Sequence, residues 1–223
     1  MVERVGVQDP AWTAVDSYIG ERLLGDDPAL AATLAANAAG GLPDIDVSPA
    51  QGRMLRLLAR MSGARRILEV GTLGGYSTIE LARALPADGE LVTLEIDPHH
   101  ADVARANIAA AGFADRVTVI TGSALDVLPT LEGPFDFVFI DADKQSNAAY
   151  VDHAIRLSRP GTTIIVDNVI REGQLIHADS PDGRVQGTRK LFDAISANSR
   201  LTATAVQTVG VKKWDGFLLA IVD

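Results

Sequence analysis

The segment that most constrains this chain is residues 66–78, RILEVGTLGGYST. An apolar run ends at Val70, glycines follow at Gly71, Gly74 and Gly75, and a helix-compatible stretch opens at Tyr76. Strand, tight turn and helix start in that order are the repeating unit of an α/β sheet. In open α/β sheets ligands bind beyond the carboxyl ends of the strands, where the strand order reverses. Glycines there let the backbone approach a ligand and adopt positive φ. The spacing is G-x-x-G-G, not the dinucleotide fingerprint G-x-G-x-x-G, so a nucleoside cofactor without a pyrophosphate fits better than NAD.

The rest of the chain extends this unit into one fold. ELVTLEI, RVTVIT, FDFVFID and TTIIVD are short, nearly continuous apolar runs, as a parallel sheet covered on both faces requires. Crossover helices are predicted over 76–85, 98–111, 124–131 and 147–157, and a further helix over 187–198. Strands near 202–208 and 216–222 are separated by only a turn over 210–215, so they should form an antiparallel hairpin. Ahead of the sheet, apolar spacing predicts helices over 12–24 and 28–39. Asp27 before Pro28 reads as an N-cap, and Gly40-Gly41 as a stop. Ser48-Pro49 opens a third helix. These helices either cover a substrate cleft, make a subunit contact, or simply pack on the sheet. The expected organisation is one domain over 1–223, with a helical cap over 1–63 and a Rossmann-like core over 64–223.

Composition narrows the function. The 223 residues are 47% hydrophobic and 22% charged, which is globular usage, and no apolar run is long enough to span a bilayer. The opening MVERVGVQDPAW lacks the basic and apolar regions of a secretory leader, and there is no cysteine for a disulfide framework. A cytoplasmic location is the expectation. The net charge of −9 argues against a nucleic-acid footprint. The basic stretch RVQGTRK reads as a solvated helix start.

Acids at the strand ends suggest a site. Glu95 ends the second strand, where a carboxylate commonly accepts hydrogen bonds from a ribose. Glu69 lies inside the first strand, where it needs a partner: an amino-acid ammonium or the loop amides. Ser123 follows the third strand and either borders an adenine ring or caps a helix. Asp141, Asp167 and Asn168 end the fourth and fifth strands and either cap helices or converge on a hard cation such as Mg²⁺, Mn²⁺ or Ca²⁺. Zinc is disfavoured because cysteine is absent and His99, His100, His153 and His177 lack ligand spacing.

ILEVGTLGGYST, LEIDP, TGSALDVLP, FIDADK and IIVDNV, in that order, resemble the class I S-adenosylmethionine-dependent O-methyltransferases. More narrowly they are similar to the cation-dependent group that includes catechol and caffeoyl-coenzyme A O-methyltransferases. The resemblance spans residues 47–223 and implies a seven-stranded sheet whose last strand is antiparallel, with helices on both faces. It implies that Gly71, Tyr76 and Ser77 hold the methionine part of S-adenosylmethionine, Glu95 the ribose and Ser123 the adenine edge. Val47, Glu69 and Asp141 match further cofactor-lining positions. It also implies Asp141, Asp167 and Asn168 as ligands of a divalent cation and Lys144 as the catalytic base; the alternative for Lys144 is a surface pair with Asp143. Members of the group are commonly homodimers, so one is expected here.

The chain also departs from the pattern. Ser146 and Asn147 stand where relatives have asparagine and tyrosine, and Arg171 where they often have tryptophan, while Tyr150 is retained. These changes place polar groups near the expected substrate mouth. They direct the expected acceptor to a small vicinal-dihydroxy aromatic and not to a coenzyme A thioester. Residues 171–189 read as a mobile loop able to cover the site. Two alternatives stand beside the enzyme reading: a cofactor-binding module with altered catalysis, and an NAD-dependent oxidoreductase.

Overall fold

The computed structural model describes residues 9–223; the expectation that no secretory leader is present rests partly on residues 1–8, which lie outside the described residues. Fifteen helices and strands of regular type follow in chain order. The N-terminal helices are α1 (Pro10–Ile19), α2 (Pro28–Ala39) and α3 (Pro49–Met61), leading into β1 (Arg66–Val70). Then come α4 (Tyr76–Ala82), β2 (Glu90–Glu95), α5 (Pro98–Ala110), β3 (Val117–Thr121) and α6 (Ala124–Val127). The chain continues through β4 (Phe135–Ile140), α7 (Asn147–Arg156), β5 (Ser158–Asp167), α8 (Gly183–Ser196), β6 (Leu201–Gly210) and β7 (Lys213–Val222).

The seven strands lie in the order β3-β2-β1-β4-β5-β7-β6. Strands β1 to β5 are mutually parallel, and β7 runs antiparallel to both β5 and β6. The order reverses at β1, whose neighbours are β2 and β4, so the crevice of an open sheet falls at the carboxyl ends of these strands.

The sheet has a core on each face. Leu68, Val70, Val138 and Ile140 face one way and pack with Leu128, Val151 and Leu191. Ile67, Phe137, Phe139 and Ile165 face the other way, against Leu55, Ile79 and Ile108. Alternation within β4 thus sends apolar side chains into both layers, which is why FDFVFI reads as continuous. Phe135, Phe137 and Phe139 are almost wholly buried. Each contributes about 2–3 kcal/mol by removal from water.

Helix starts follow the sequence signals. Asp27 accepts from the Leu30 amide at 3.1 Å, and Ser48 from the Gln51 amide at 3.2 Å, each with proline next. Asp27 also receives Arg83, the C-cap of α4, through two hydrogen bonds, at 2.5 and 3.0 Å, tying α2 to the end of the sheet-facing helix. Several boundaries differ. The helix expected over 12–24 is α1 followed by a π-helical turn, Gly20–Leu24. The one over 124–131 stops at Val127 and tightens into a 3₁₀ turn, Leu128–Thr130, around Pro129. The hairpin turn is only residues 211–212, because pairing continues to Gly210 and Lys213. Helix α8 begins at Gly183 instead of 187, since Asp182 caps it by accepting from the Arg184 amide at 2.8 Å. Of the segment expected as a mobile loop, residues 183–189 belong to α8, and Arg171–Ile176 is a 3₁₀ stretch kinked at Glu172 and Gly173. Among the described residues no helix is long and apolar enough to cross a membrane.

Candidate active site

The carboxyl ends of the parallel strands open into one cleft of about 910 Å³. Its floor is the glycine turn after β1. Gly71 has φ +100°, and a Cβ there would overlap the Asp141 carbonyl after β4. The ends of β1, β2 and β4 are locked at this point: the Gly71 amide donates to Leu94 at 2.9 Å and the Asp141 amide to Val70 at 2.8 Å. Gly74 is required for a different reason, because a Cβ would fall on the Asn37 amide of α2. Asn107 of α5 donates to Gly74 O at 2.9 Å and to Asn37 Oδ1 at 3.0 Å, and Asn37 donates to Asp46 at 3.1 Å. Helices α2 and α5 therefore hold the loop and the 40–48 linker together.

Glu95 stands at the end of β2 and is nearly buried. One oxygen accepts from the Leu73 amide at 2.8 Å and the other from the Asp97 amide at 3.0 Å, with the His100 ring 3.7 Å away. Beside it, Ile96, Gly122, Ser123, Ala124 and Leu125 line the cleft. Ser123 occupies the N-cap position of α6, yet its side chain makes no capping hydrogen bond. Val47, Gly71 and Ser77 complete this half.

Two expected residues lie beneath the cleft and not in its wall. Glu69 is fully buried, and the hydroxyls of Ser77 (2.6 Å), Thr93 (2.7 Å) and Thr78 donate to it. Within the protein those three hydroxyls, not the loop amides, satisfy it. Burial pushes its carboxyl up to about 7 against the effect of the hydrogen bonds. The Tyr76 ring packs into the core with Leu55 and Ile79 and lines a separate small cavity beside Leu30 and Glu80. Its phenol is pushed up to about 12, chiefly by burial and then by the Glu80 charge.

The other half gathers Asp141, Lys144, Asp167 and Asn168 in the cleft wall. Lys144 Nζ donates to Asp141 Oδ1 at 2.6 Å, although the lysine is only 7% exposed. It pairs with Asp141, not with Asp143. Asp143 instead caps the 3₁₀ turn Lys144–Ser146 and accepts from the Tyr150 hydroxyl. Asp167 is 4% exposed, and its carboxyl is pushed up to about 7, first by burial and then by the Asp141 charge. Lys144, the Asn168 amide (2.8 Å) and Gln51 oppose that rise. Asn168 takes φ +57°, turning the chain sharply out of β5.

Among the described residues no cluster of three or more His, Cys, Asp or Glu side chains is placed to hold a metal. The set here is two carboxylates that repel each other and one amide, all oxygen donors. That chemistry suits a hard cation, which would relieve the repulsion. Of the three departing positions expected near the mouth, two lie there. Ser146 and Arg171 line the cleft, but Asn147 is fully buried and its amide has no hydrogen-bond partner among the described residues. Gln51, Asp46, His100 and Lys212 also line the cleft and were not singled out from sequence. They reach it from segments distant in the chain, and none carries a local motif.

The O-methyltransferase family model matches residues 25–221. The chain is 55% identical over 216 residues to the catechol O-methyltransferase of Mycobacterium tuberculosis, covering 96% of this chain and 98% of that one. It is 51% identical over 213 residues to the catechol O-methyltransferase of Niastella koreensis, covering 94% and 96%. Among solved structures, the Bacillus cereus O-methyltransferase in complex with SAH superposes with a TM-score of 0.94 at 55% identity, covering 96% of this chain and 99% of that one. The chain belongs to the class I S-adenosylmethionine-dependent O-methyltransferases, and it is an enzyme of methyl transfer to oxygen. That membership decides against the NAD-dependent alternative.

Proposed function

We propose that the enzyme methylates one hydroxyl of a small catechol-like aromatic, with Lys144 as base and a divalent cation held by Asp141, Asp167 and Asn168. The observation that carries this reading is the Lys144–Asp141 pair at 2.6 Å beside the buried Asp167, three charged groups on adjoining strand ends facing one cleft. The naming of two close relatives as catechol O-methyltransferases supports it.

In this reading Val47, Gly71, Ser77, Glu95, Ser123 and Asp141 bind S-adenosylmethionine, and Tyr76 and Glu69 act from behind the wall. Glu95 and Ser123 present acceptor and hydroxyl groups along the ribose and adenine end. Lys144 Nζ, entering the step as the free amine, takes the proton of the acceptor hydroxyl, the hydroxyl oxygen forms the new bond to the methyl carbon, and the carbon–sulfur bond breaks in line. Mg²⁺, or Mn²⁺ or Ca²⁺, held by Asp141, Asp167 and Asn168 would supply Lewis-acid activation of the acceptor hydroxyl. Alignment of donor and acceptor by the two halves of the cleft supplies much of the remaining acceleration. The cytoplasm as location and a homodimer as assembly belong to the same proposal.

The test is a panel of catechols, flavonoids and hydroxycinnamates with S-adenosylmethionine, assayed with Mg²⁺ and after thorough chelation. Mass spectrometry should find a singly methylated vicinal diol, and activity should vanish on chelation and return with the cation. Full activity after chelation would remove the cation from the mechanism. Methylation of none of the vicinal diols would remove the acceptor class.

A further inference from the structure

Arg171 is held in an unusual way for an arginine. It lines the cleft three residues beyond Asn168, with its side chain only 20% exposed. Its backbone has φ +56°, and Glu172 follows at φ +53°, so two consecutive non-glycine residues adopt the left-handed conformation. Such conformations cost about 1 kcal/mol or more each and persist only where the surroundings impose them. Here the surroundings are two side chains of the β6–β7 hairpin and its strands. Asp215 Oδ1 accepts from the amides of Ile170, Arg171 and Gly216, each at 3.0 Å. The Trp214 ring lies against Gly173, where a Cβ would collide with it.

The guanidinium itself makes no hydrogen bond among the described residues. Its Nε is buried without a partner, and Nη1 lies 3.8 Å from Asp215 Oδ2, too far for a hydrogen bond. Asp182, the other acid whose charge it influences, is bound by Arg184 at 2.7 Å. A planar fork is therefore fixed at the cleft wall by the backbone beneath it, its charge facing Asp215 but its donors without a hydrogen bond among the described residues. An arginine in this state matches a carboxylate, whose two oxygens fit the fork geometry.

We infer that Arg171 is a specificity-determining residue that selects a vicinal-dihydroxy aromatic bearing a carboxylate over the neutral catechol. The inference rests on the proposed acceptor class and narrows it. Asn168 and Arg171 leave β5 on one turn, so a diol at the Asp141–Asp167–Asn168 end and a carboxylate at Arg171 define the two ends of one small acceptor.

Calorimetric titration with catechol and with protocatechuate (a catechol with one ring carboxylate) tests this, using enzyme saturated with S-adenosylhomocysteine and Mg²⁺. Methyl transfer to both compounds is measured alongside. The wild type should bind protocatechuate about tenfold more tightly than catechol, the scale of one charge-assisted contact. Arg171→Met should abolish the preference and leave catechol affinity within about twofold, while Arg171→Lys should keep part of it. Equal affinities in the wild type, or no binding of protocatechuate, would overturn the inference. So would a preference that survives Arg171→Met, or an equal loss for both compounds, which would mean that the guanidinium stacks on the ring. Selective binding without methylation of either compound would instead sink the proposed reaction and leave the role of Arg171 standing.

Discussion

Glu69 and Asp167 are buried carboxyls on β1 and β5, on either side of β4, and both are pushed up to about 7. Their surroundings differ in kind. Glu69 sits among three hydroxyls, two from the first turns of α4 and one from β2, and every one of them donates to it. Its polar needs are met within the protein, and the network stiffens the turn that Ser77 presents to the cleft. Asp167 faces the charge of Asp141, with Lys144 as the nearest counter-charge. A closed hydrogen-bond network suits a structural role, and paired acids beside a lysine suit chemistry. In the proposed reading the same perturbation marks a support in the cofactor half and a working group in the acceptor half.

The sharpest way to break this contrast is at Lys144. Lys144→Ala should lower kcat by about a thousandfold, within the range for a general base, while S-adenosylmethionine affinity stays within about twofold by calorimetry. A comparable loss of cofactor binding would mean that the two halves are not separable.

Glu69 should register in stability instead of turnover. Its folded value of about 7 lies above the ordinary 4.5, so the folded state holds a proton that the unfolded state releases between those values. Stability should be greatest below pH 4.5 for this group and fall as pH rises towards 7, by on the order of 3 kcal/mol across the window. Urea titrations should show a flatter pH profile for Glu69→Gln than for the wild type. Identical profiles would place the titration elsewhere.

Glu95→Ala removes both the proposed ribose acceptor and the partner of the Leu73 and Asp97 amides. S-adenosylmethionine affinity should weaken by about thirtyfold, or roughly 2 kcal/mol, while acceptor KM at saturating cofactor changes little. The smallest effect is expected from Asp215→Ala, which frees three backbone amides under Arg171. Acceptor KM should rise by about fivefold, or roughly 1 kcal/mol, with cofactor affinity unchanged. A shift in cofactor affinity alone would put that turn in the wrong half.

The two halves were also unequally legible. The cofactor half is written in contiguous motifs: Gly71 to Ser77 lie on one turn, and Glu95 and Ser123 each mark the end of a strand visible as an apolar run. Such signals are local, because a strand end, a positive φ or a helix cap is decided within a few residues. Even there, the direction of a side chain was not readable. Glu69 and Tyr76 point beneath the cleft because strand alternation and the packing of α3 on α4 set their faces.

Sequence alone determined the α/β sheet, its antiparallel final hairpin, the glycine turn and the acids at successive strand ends. These follow from periodicity and short-range backbone sterics, which each segment carries by itself. Only the tertiary structure decided that Lys144 pairs with Asp141, that Asn147 is buried away from the mouth, and that α8 begins as early as Gly183. It also decided that Asp215 and Trp214, more than forty residues on from Ile170 and Gly173, hold Arg171 at the cleft wall. Those outcomes depend on which distant elements the sheet order brings side by side, and no local pattern records that order.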